Sequence, residues 1–236
     1  MQKHFLFDLD GTLLPMDLQR FIDLYLQAFC RKFAHKVQID PKQLVKAIWA
    51  GAADMGKNDG ECLNREVFWR AMNRVCNKDM RLYENEFDEF YRNEFIAAKE
   101  ATKENPFAQE AVKLLKQRGG KLIVATNPIF PKAATYTRLR WAGLDPNDFD
   151  YITVYDNCSY SKPNLNYFQE ICYFCGISPE ESVMVGNDVD EDMCAAKLGF
   201  DTFLVTDCLI NRRNKSVSRY RRGSFEDFYH WLLENE

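Results

Sequence analysis

The sequence predicts an α/β protein: a doubly wound parallel sheet, interrupted near its start by an all-helical insertion. Three observations predict it. An apolar run, Phe5-Leu6-Phe7, opens directly into Asp8-Leu9-Asp10-Gly11-Thr12, as a strand buried on both faces does when it ends at a ligand crevice. From Asp17 to about Lys99 the apolar residues recur with helical spacing and no strand pattern intervenes. From Pro106 onward helical and strand patterns alternate, which implies parallel strands joined by right-handed crossovers.

Taken in order, Phe5–Phe7 is the first strand. Residues 15–104 form the insertion, and residues 1–14 with 105–236 form the α/β core. Within the insertion, Phe21, Leu24, Tyr25 and Ala28 share one helical face and Leu44, Ala47 and Ile48 another. Asp40-Pro41 supplies a cap and a first-turn proline. Further helices are expected near 61–76 and 82–98, with Gly51–Gly60 as a glycine-containing polar loop. In the core, Pro106–Arg118 reads as a helix closed by Gly119-Gly120. Strands follow at 121–125, 151–155, 182–185 and 202–205, with helices at 131–141, 164–175, 190–198 and 225–233 between and after them.

Composition bounds the function. The 236 residues are 46% hydrophobic and 28% charged, enough to build a core. A net charge of −4 argues against a general nucleic-acid binder. No apolar run reaches membrane-span length, and Met1-Gln2-Lys3-His4 runs straight into the first strand without a signal peptide. The eight cysteines lie scattered among apolar neighbours, as reduced thiols of a cytoplasmic protein do. Cys172-Tyr173-Phe174-Cys175 is a lone CxxC within a helix and reads as packing. Six basic residues between Asn211 and Gly223 fit an anion-binding loop or a solvated connection; no aromatic pattern supports nucleic acid, which favours the connection.

The polar residues of interest fall at strand ends. Asp8 and Asp10 follow the first strand, Thr126 the second, Lys162 the third and Asp188 the fourth; in a doubly wound sheet all these ends share one edge. Carboxylates converging there repel one another. Oxygen-only donors suit Mg²⁺, whereas His4, His35 and His230 form no zinc motif. A lysine and a threonine hydroxyl beside such a cation suit a phosphoryl group, and Gly11 would let backbone N–H groups approach it. The pattern Asp-x-Asp-Gly-Thr arises by chance in roughly one chain of this length in several hundred.

Together, Asp8-Leu9-Asp10-Gly11-Thr12, Thr126-Asn127, Lys162-Pro163 and Gly186-Asn187-Asp188 with Asp192 resemble the four motifs of the haloacid dehalogenase (HAD) superfamily, in that family's order. The resemblance covers the core, implies a Rossmann-like sheet, and gives the insertion the position of a C1-type cap. It implies Asp8 as nucleophile, Asp10 as general acid and base, and Thr126 and Lys162 as catalytic groups on the phosphoryl oxygens. Gly11 and Asn127 join these two at the substrate. Asp8, Asp10 and Asp188 are implied as Mg²⁺ ligands, with Asp192 as an outer acid; Asp190 and Glu191 read as acids of a helix's first turn. The implied activity is a Mg²⁺-dependent phosphatase acting on a small phosphorylated metabolite, since a lid would exclude macromolecules. Lys57 and Asn58 are candidates for reading the substrate. A sugar phosphomutase would keep every one of these residues, and a phosphate-responsive binding protein is the non-enzymatic alternative. Asp10 and Asp188 argue against a metal-free dehalogenase.

Overall fold

The computed structural model describes residues 3–235. Its strands are β1 (His4–Phe7), β2 (Leu122–Val124), β3 (Tyr151–Ile152), β4 (Ser182–Gly186), β5 (Asp201–Val205) and β6 (Arg221–Gly223). They form one parallel sheet in the order β3-β2-β1-β4-β5-β6. Phe7 pairs with Val124 on one side and Val185 on the other, so β1 is central. Strand order reverses between β1 and β4, which opens a crevice at their carboxyl ends.

The continuous apolar run of β1 has a direct cause. Phe5 and Phe7 face one layer with Leu122, Val124, Val183 and Val185, under α5 (Pro106–Arg118) and α8 (Phe225–Glu234). Phe228 of α8 meets the rings of Phe5 and Phe7 edge-on at 6.4 and 5.8 Å. Leu6 faces the opposite layer with Ile123, Met184 and the α7 (Leu165–Cys175) residues Tyr167, Phe168 and Ile171. Both faces of the strand are covered, so neither can be polar.

Between β1 and α5 the chain is helical: α1 (Leu18–Val37), α2 (Pro41–Met55), α3 (Asn64–Cys76) and α4 (Glu84–Arg92), with 3₁₀ turns at Met80–Tyr83 and Glu94–Ala101. Asp17 and Asp40 cap α1 and α2. The segment leaves and re-enters side by side: Asp17 N–H donates to Ala101 O and Lys103 N–H to Pro15 O, both at 2.9 Å. Inside it, Phe29, Phe33, Phe87 and Phe90 form an aromatic cluster with centroids as near as 4.5 Å. Phe95 stacks on Trp141 of α6 (Lys132–Trp141) at 5.0 Å and so joins the helices to the sheet layers.

The departures from the sequence expectation have local causes. Gly51 lies within α2, because the Phe68 ring of α3 packs against its backbone and a Cβ there would stand 3.1 Å from Cε2; the loop begins only at Gly56. Asn93, with φ −116° and ψ −82°, divides the helix expected over 82–98. The third strand stops at Ile152 because the Asn157 side chain takes the Ile152 carbonyl and the Val154 N–H. The helix expected over 190–198 begins as a turn, since Asp188 and Asp192 side chains cap the backbone N–H groups of residues 188, 190 and 191; only Met193–Leu198 is 3₁₀-helical. Arg221–Gly223, read as part of a connection, is an edge strand. Charged residues suit such an edge, and the Arg221 guanidinium lies 4.6 Å from the Trp231 ring centroid.

Candidate active site

At the crevice between β1 and β4, the strand ends bring Asp8, Thr126, Lys162, Asp188 and Asp192 into one buried group. Lys162 is its centre. The Nζ donates to Asp8 Oδ1 at 2.9 Å and to Asp192 Oδ1 at 2.6 Å. Burial alone would depress its pKa, but the charges of Asp192 and Asp8 outweigh that and hold the ammonium well above its usual range. Burial pushes Asp8 up against the opposing pull of Lys162. It pushes Asp192 up to about 7, again against Lys162. One lysine thus serves two buried acids, and the group carries surplus negative charge.

The loops hold these side chains from behind. Asp192 Oδ2 accepts the Asp188 N–H at 2.9 Å, and Asp188 Oδ1 accepts the N–H groups of Asp190 and Glu191. The Thr126 carbonyl accepts from Thr153 Oγ1 and Tyr167 OH. Its hydroxyl donates to no described protein group and stays available to a ligand. Asn127 Nδ2 donates to Glu191, while its Oδ1 is buried without a partner among the described residues.

Gly11 lies in the turn that follows β1. Its N–H donates to the Leu14 carbonyl at 2.8 Å and is not free for a phosphate. The glycine is needed because φ is +86° and a Cβ would crowd Asn187 Cγ and Cys208 Cβ, at 3.1 and 3.2 Å. Asn187 in turn accepts from Thr12 Oγ1 and donates to the Cys208 carbonyl, tying the loop after β1 to the one after β4. The Asn58 Nδ2 donates to Cys62 O and Asn64 Oδ1. Among the described residues the ion-pair partners of the acidic group are Lys162 and Arg212, and Lys57 is not one of them.

Four residues near the site were not singled out by the sequence for the contacts they make. Arg138, fully buried on α6, pairs with Asp10 Oδ2; nothing in a helix-period pattern singles out one arginine. Arg212 reaches from the basic segment to Asp188 Oδ2 at 2.5 Å, and Lys215 pairs with Asp190. Asn64, at the start of α3, is fully buried. Its amide donates toward Pro128 O, Tyr160 O and Ser161 Oγ at 3.1–3.3 Å, touching the loops that carry Thr126 and Lys162.

Among the described residues no three His, Cys, Asp or Glu side chains are gathered as a metal cage. The donors nevertheless fit Mg²⁺, which is commonly held by one or two carboxylates with several waters retained. Asp8 and Asp188 supply carboxylates, and the Asp10 carbonyl accepts no hydrogen bond from any described residue. Chemically, the group can place a carboxylate oxygen of Asp8 against an electrophile, neutralise anionic oxygens with Lys162, and present Asp10 Oδ1, which is buried and unpaired.

Comparison with known proteins identifies the family and the fold. A family model described as haloacid dehalogenase-like hydrolase matches residues 2–199. A glyceraldehyde 3-phosphate phosphatase of Methanothermobacter thermautotrophicus is 33% identical over 106 residues, which are 44% of this chain and 46% of that protein. The match therefore spans less than half the length of that relative. The fold is shared with a HAD phosphatase from Thermococcus onnurineus (TM-score 0.61, 21% identity, 98% of this chain and 97% of that one). It is also shared with YfnB from Bacillus subtilis, whose crystal structure is bound to magnesium (TM-score 0.57, 20% identity, 98% of both chains).

Proposed function

The chain belongs to the haloacid dehalogenase-like hydrolases, and from that premise we propose that it is a Mg²⁺-dependent phosphatase hydrolysing a small phosphomonoester. The observation that carries this reading is Lys162, buried and shared between Asp8 and Asp192, at the point where strand order reverses. A lysine so placed suits a nucleophilic carboxylate and the dianion it attacks.

In the first half-reaction an Asp8 oxygen forms a bond to phosphorus as the bond to the leaving oxygen breaks. The electron pair departs with that oxygen, which takes a proton from Asp10. In the second, Asp10 removes a proton from water as the water oxygen attacks phosphorus, and the bond to Asp8 breaks. The Thr126 hydroxyl donates to a phosphoryl oxygen and Lys162 balances the charge. Held by the Asp8 carboxylate, the Asp10 carbonyl and Asp188, Mg²⁺ would supply further neutralisation of phosphoryl charge.

Residues 15–104 act in this reading as a C1-type cap over residues 1–14 and 105–236. The Asn64 contacts with both motif-bearing loops support a closed lid that excludes water. Such a lid suits small phosphorylated metabolites.

A panel of phosphorylated metabolites incubated with Mg²⁺ and read out as released phosphate tests the reading. Turnover of at least one monoester, lost in D8N, is expected. Silence across the panel, or undiminished release by D8N, would overturn it, and an isomerised sugar phosphate without net release would mark a mutase instead.

A further inference from the structure

Arg138 is a buried cation that the proposed reaction does not use. Its side chain has no exposed surface, and its Nη1 pairs with Asp10 Oδ2. The Nη2 donates to Thr135 Oγ1 at 3.3 Å, and Nε has no partner among the described residues. The guanidinium lies 4.4 Å from the centroid of the Phe130 ring. Burying a cation is costly unless its partner returns the energy. Here the one carboxylate partner is Asp10, 128 residues away in sequence.

The consequence for Asp10 is asymmetric. One oxygen is taken by a guanidinium that neither gives up nor accepts protons. The other, Oδ1, is buried with no protein partner among the described residues, a state that is costly when nothing binds there. Only Oδ1 is left for a proton. Resting on the phosphatase reading above, we propose that Arg138 is the positioning residue for Asp10: it fixes Oδ2 and thereby aims Oδ1 at the leaving oxygen and then at the attacking water.

The same arginine is linked to the helical insertion through Phe130. That ring packs against Tyr25 at 5.6 Å, Tyr91 at 6.2 Å and Phe95 at 6.3 Å, all on the insertion. Thr137, beside Arg138 on α6, donates to the Tyr91 carbonyl at 3.2 Å. The seating of the insertion on Phe130 and the aim of Asp10 therefore meet at one side chain.

A double-mutant cycle tests this. Methionine preserves the apolar stem, and replacing a buried ion with a packed apolar group is often tolerated. R138M is expected to lower kcat by about the factor that D10N does, in the range ~10²–10⁴ for a general acid–base group, with KM little changed. The R138M/D10N double variant is expected to be no slower than D10N alone. Losses that multiply, or an R138M kcat equal to wild type, would overturn the proposal. If R138M does not fold, R138L carries the same cycle with the same two outcomes. A crystal structure of the arginine variant gives a readout independent of turnover: a displaced Asp10 carboxylate is expected, and an unmoved one overturns the proposal. Should the wild-type protein show no D8N-sensitive turnover, the phosphatase reading fails, and that structure still decides the role of Arg138.

Discussion

A Cβ placed on Gly186 would stand 2.6 Å from the Cβ of Asp192 and closer still to its carboxylate. The end of β4 is therefore packed directly against the side chain that shares Lys162 with Asp8. G186A must push Asp192 aside. We expect a loss of about 1–3 kcal/mol in stability from overpacking and a fall in kcat of about 10²-fold from misplacement of Lys162. Gly56 is the control: its added Cβ would meet only ordinary contacts at 3.5 Å or more, so G56A should leave kcat at the wild-type value. Thermal melts and steady-state kinetics on both variants check this.

Asn64 joins α3 to the loops carrying Thr126 and Lys162 through one buried amide. Removing it in N64A leaves buried carbonyls without a donor, at a cost of about 1–3 kcal/mol. The segment 56–64 should also exchange its amide hydrogens faster, because the docking of Asn64 N–H on Cys158 O is weakened with it. Hydrogen exchange by mass spectrometry reads this, and unchanged protection of that segment would contradict the anchoring role.

Much of this organisation is legible in the sequence. The apolar run of β1 and its acidic exit were readable because burial on both faces leaves no polar alternation. Asp40-Pro41 marked the α2 start through cap chemistry alone. The contacts made by Arg138, Arg212 and Asn64 were not readable, because each depends on a partner distant in sequence and none has a composition that distinguishes it from surface neighbours. Gly11 shows the converse: the residue was identifiable, but its N–H proved committed to Leu14, a matter of turn geometry that the sequence does not specify.

Burial holds the Asp192 carboxyl up to about 7 against the pull of Lys162. In the unfolded chain an aspartate titrates near ~3.9. The folded state binds this proton more tightly, so its contribution to stability is complete below about pH 4 and is lost as pH rises toward about 7. We expect the metal-free wild-type protein to lose melting temperature over that window relative to D192N. Parallel melting curves for the two proteins across pH 4 to pH 7 would contradict this.

Arg212 occupies Asp188 Oδ2 although its own side chain is 55% exposed. A cation at the carboxylate competes with that guanidinium. A half-exposed ion pair is worth about 0.2–1 kcal/mol, so R212A should lower the Mg²⁺ concentration needed for half-maximal activity by a few-fold at most. Chelator should abolish turnover in both proteins. Calorimetric titration of Mg²⁺ into the two proteins provides the direct comparison, and weaker binding by R212A would assign Arg212 a supporting role in place of a competing one.

The most direct test of the central claim is the position of the covalent intermediate. Rapid quenching during turnover of an active monoester, followed by borohydride reduction and peptide mass spectrometry, converts a phosphorylated aspartate to homoserine at its own position. The mechanism proposed here predicts that label at Asp8 alone, with more of it accumulating in D10N. Turnover without any reduced aspartate, or a label at Asp10, Asp188 or Asp192, would contradict it.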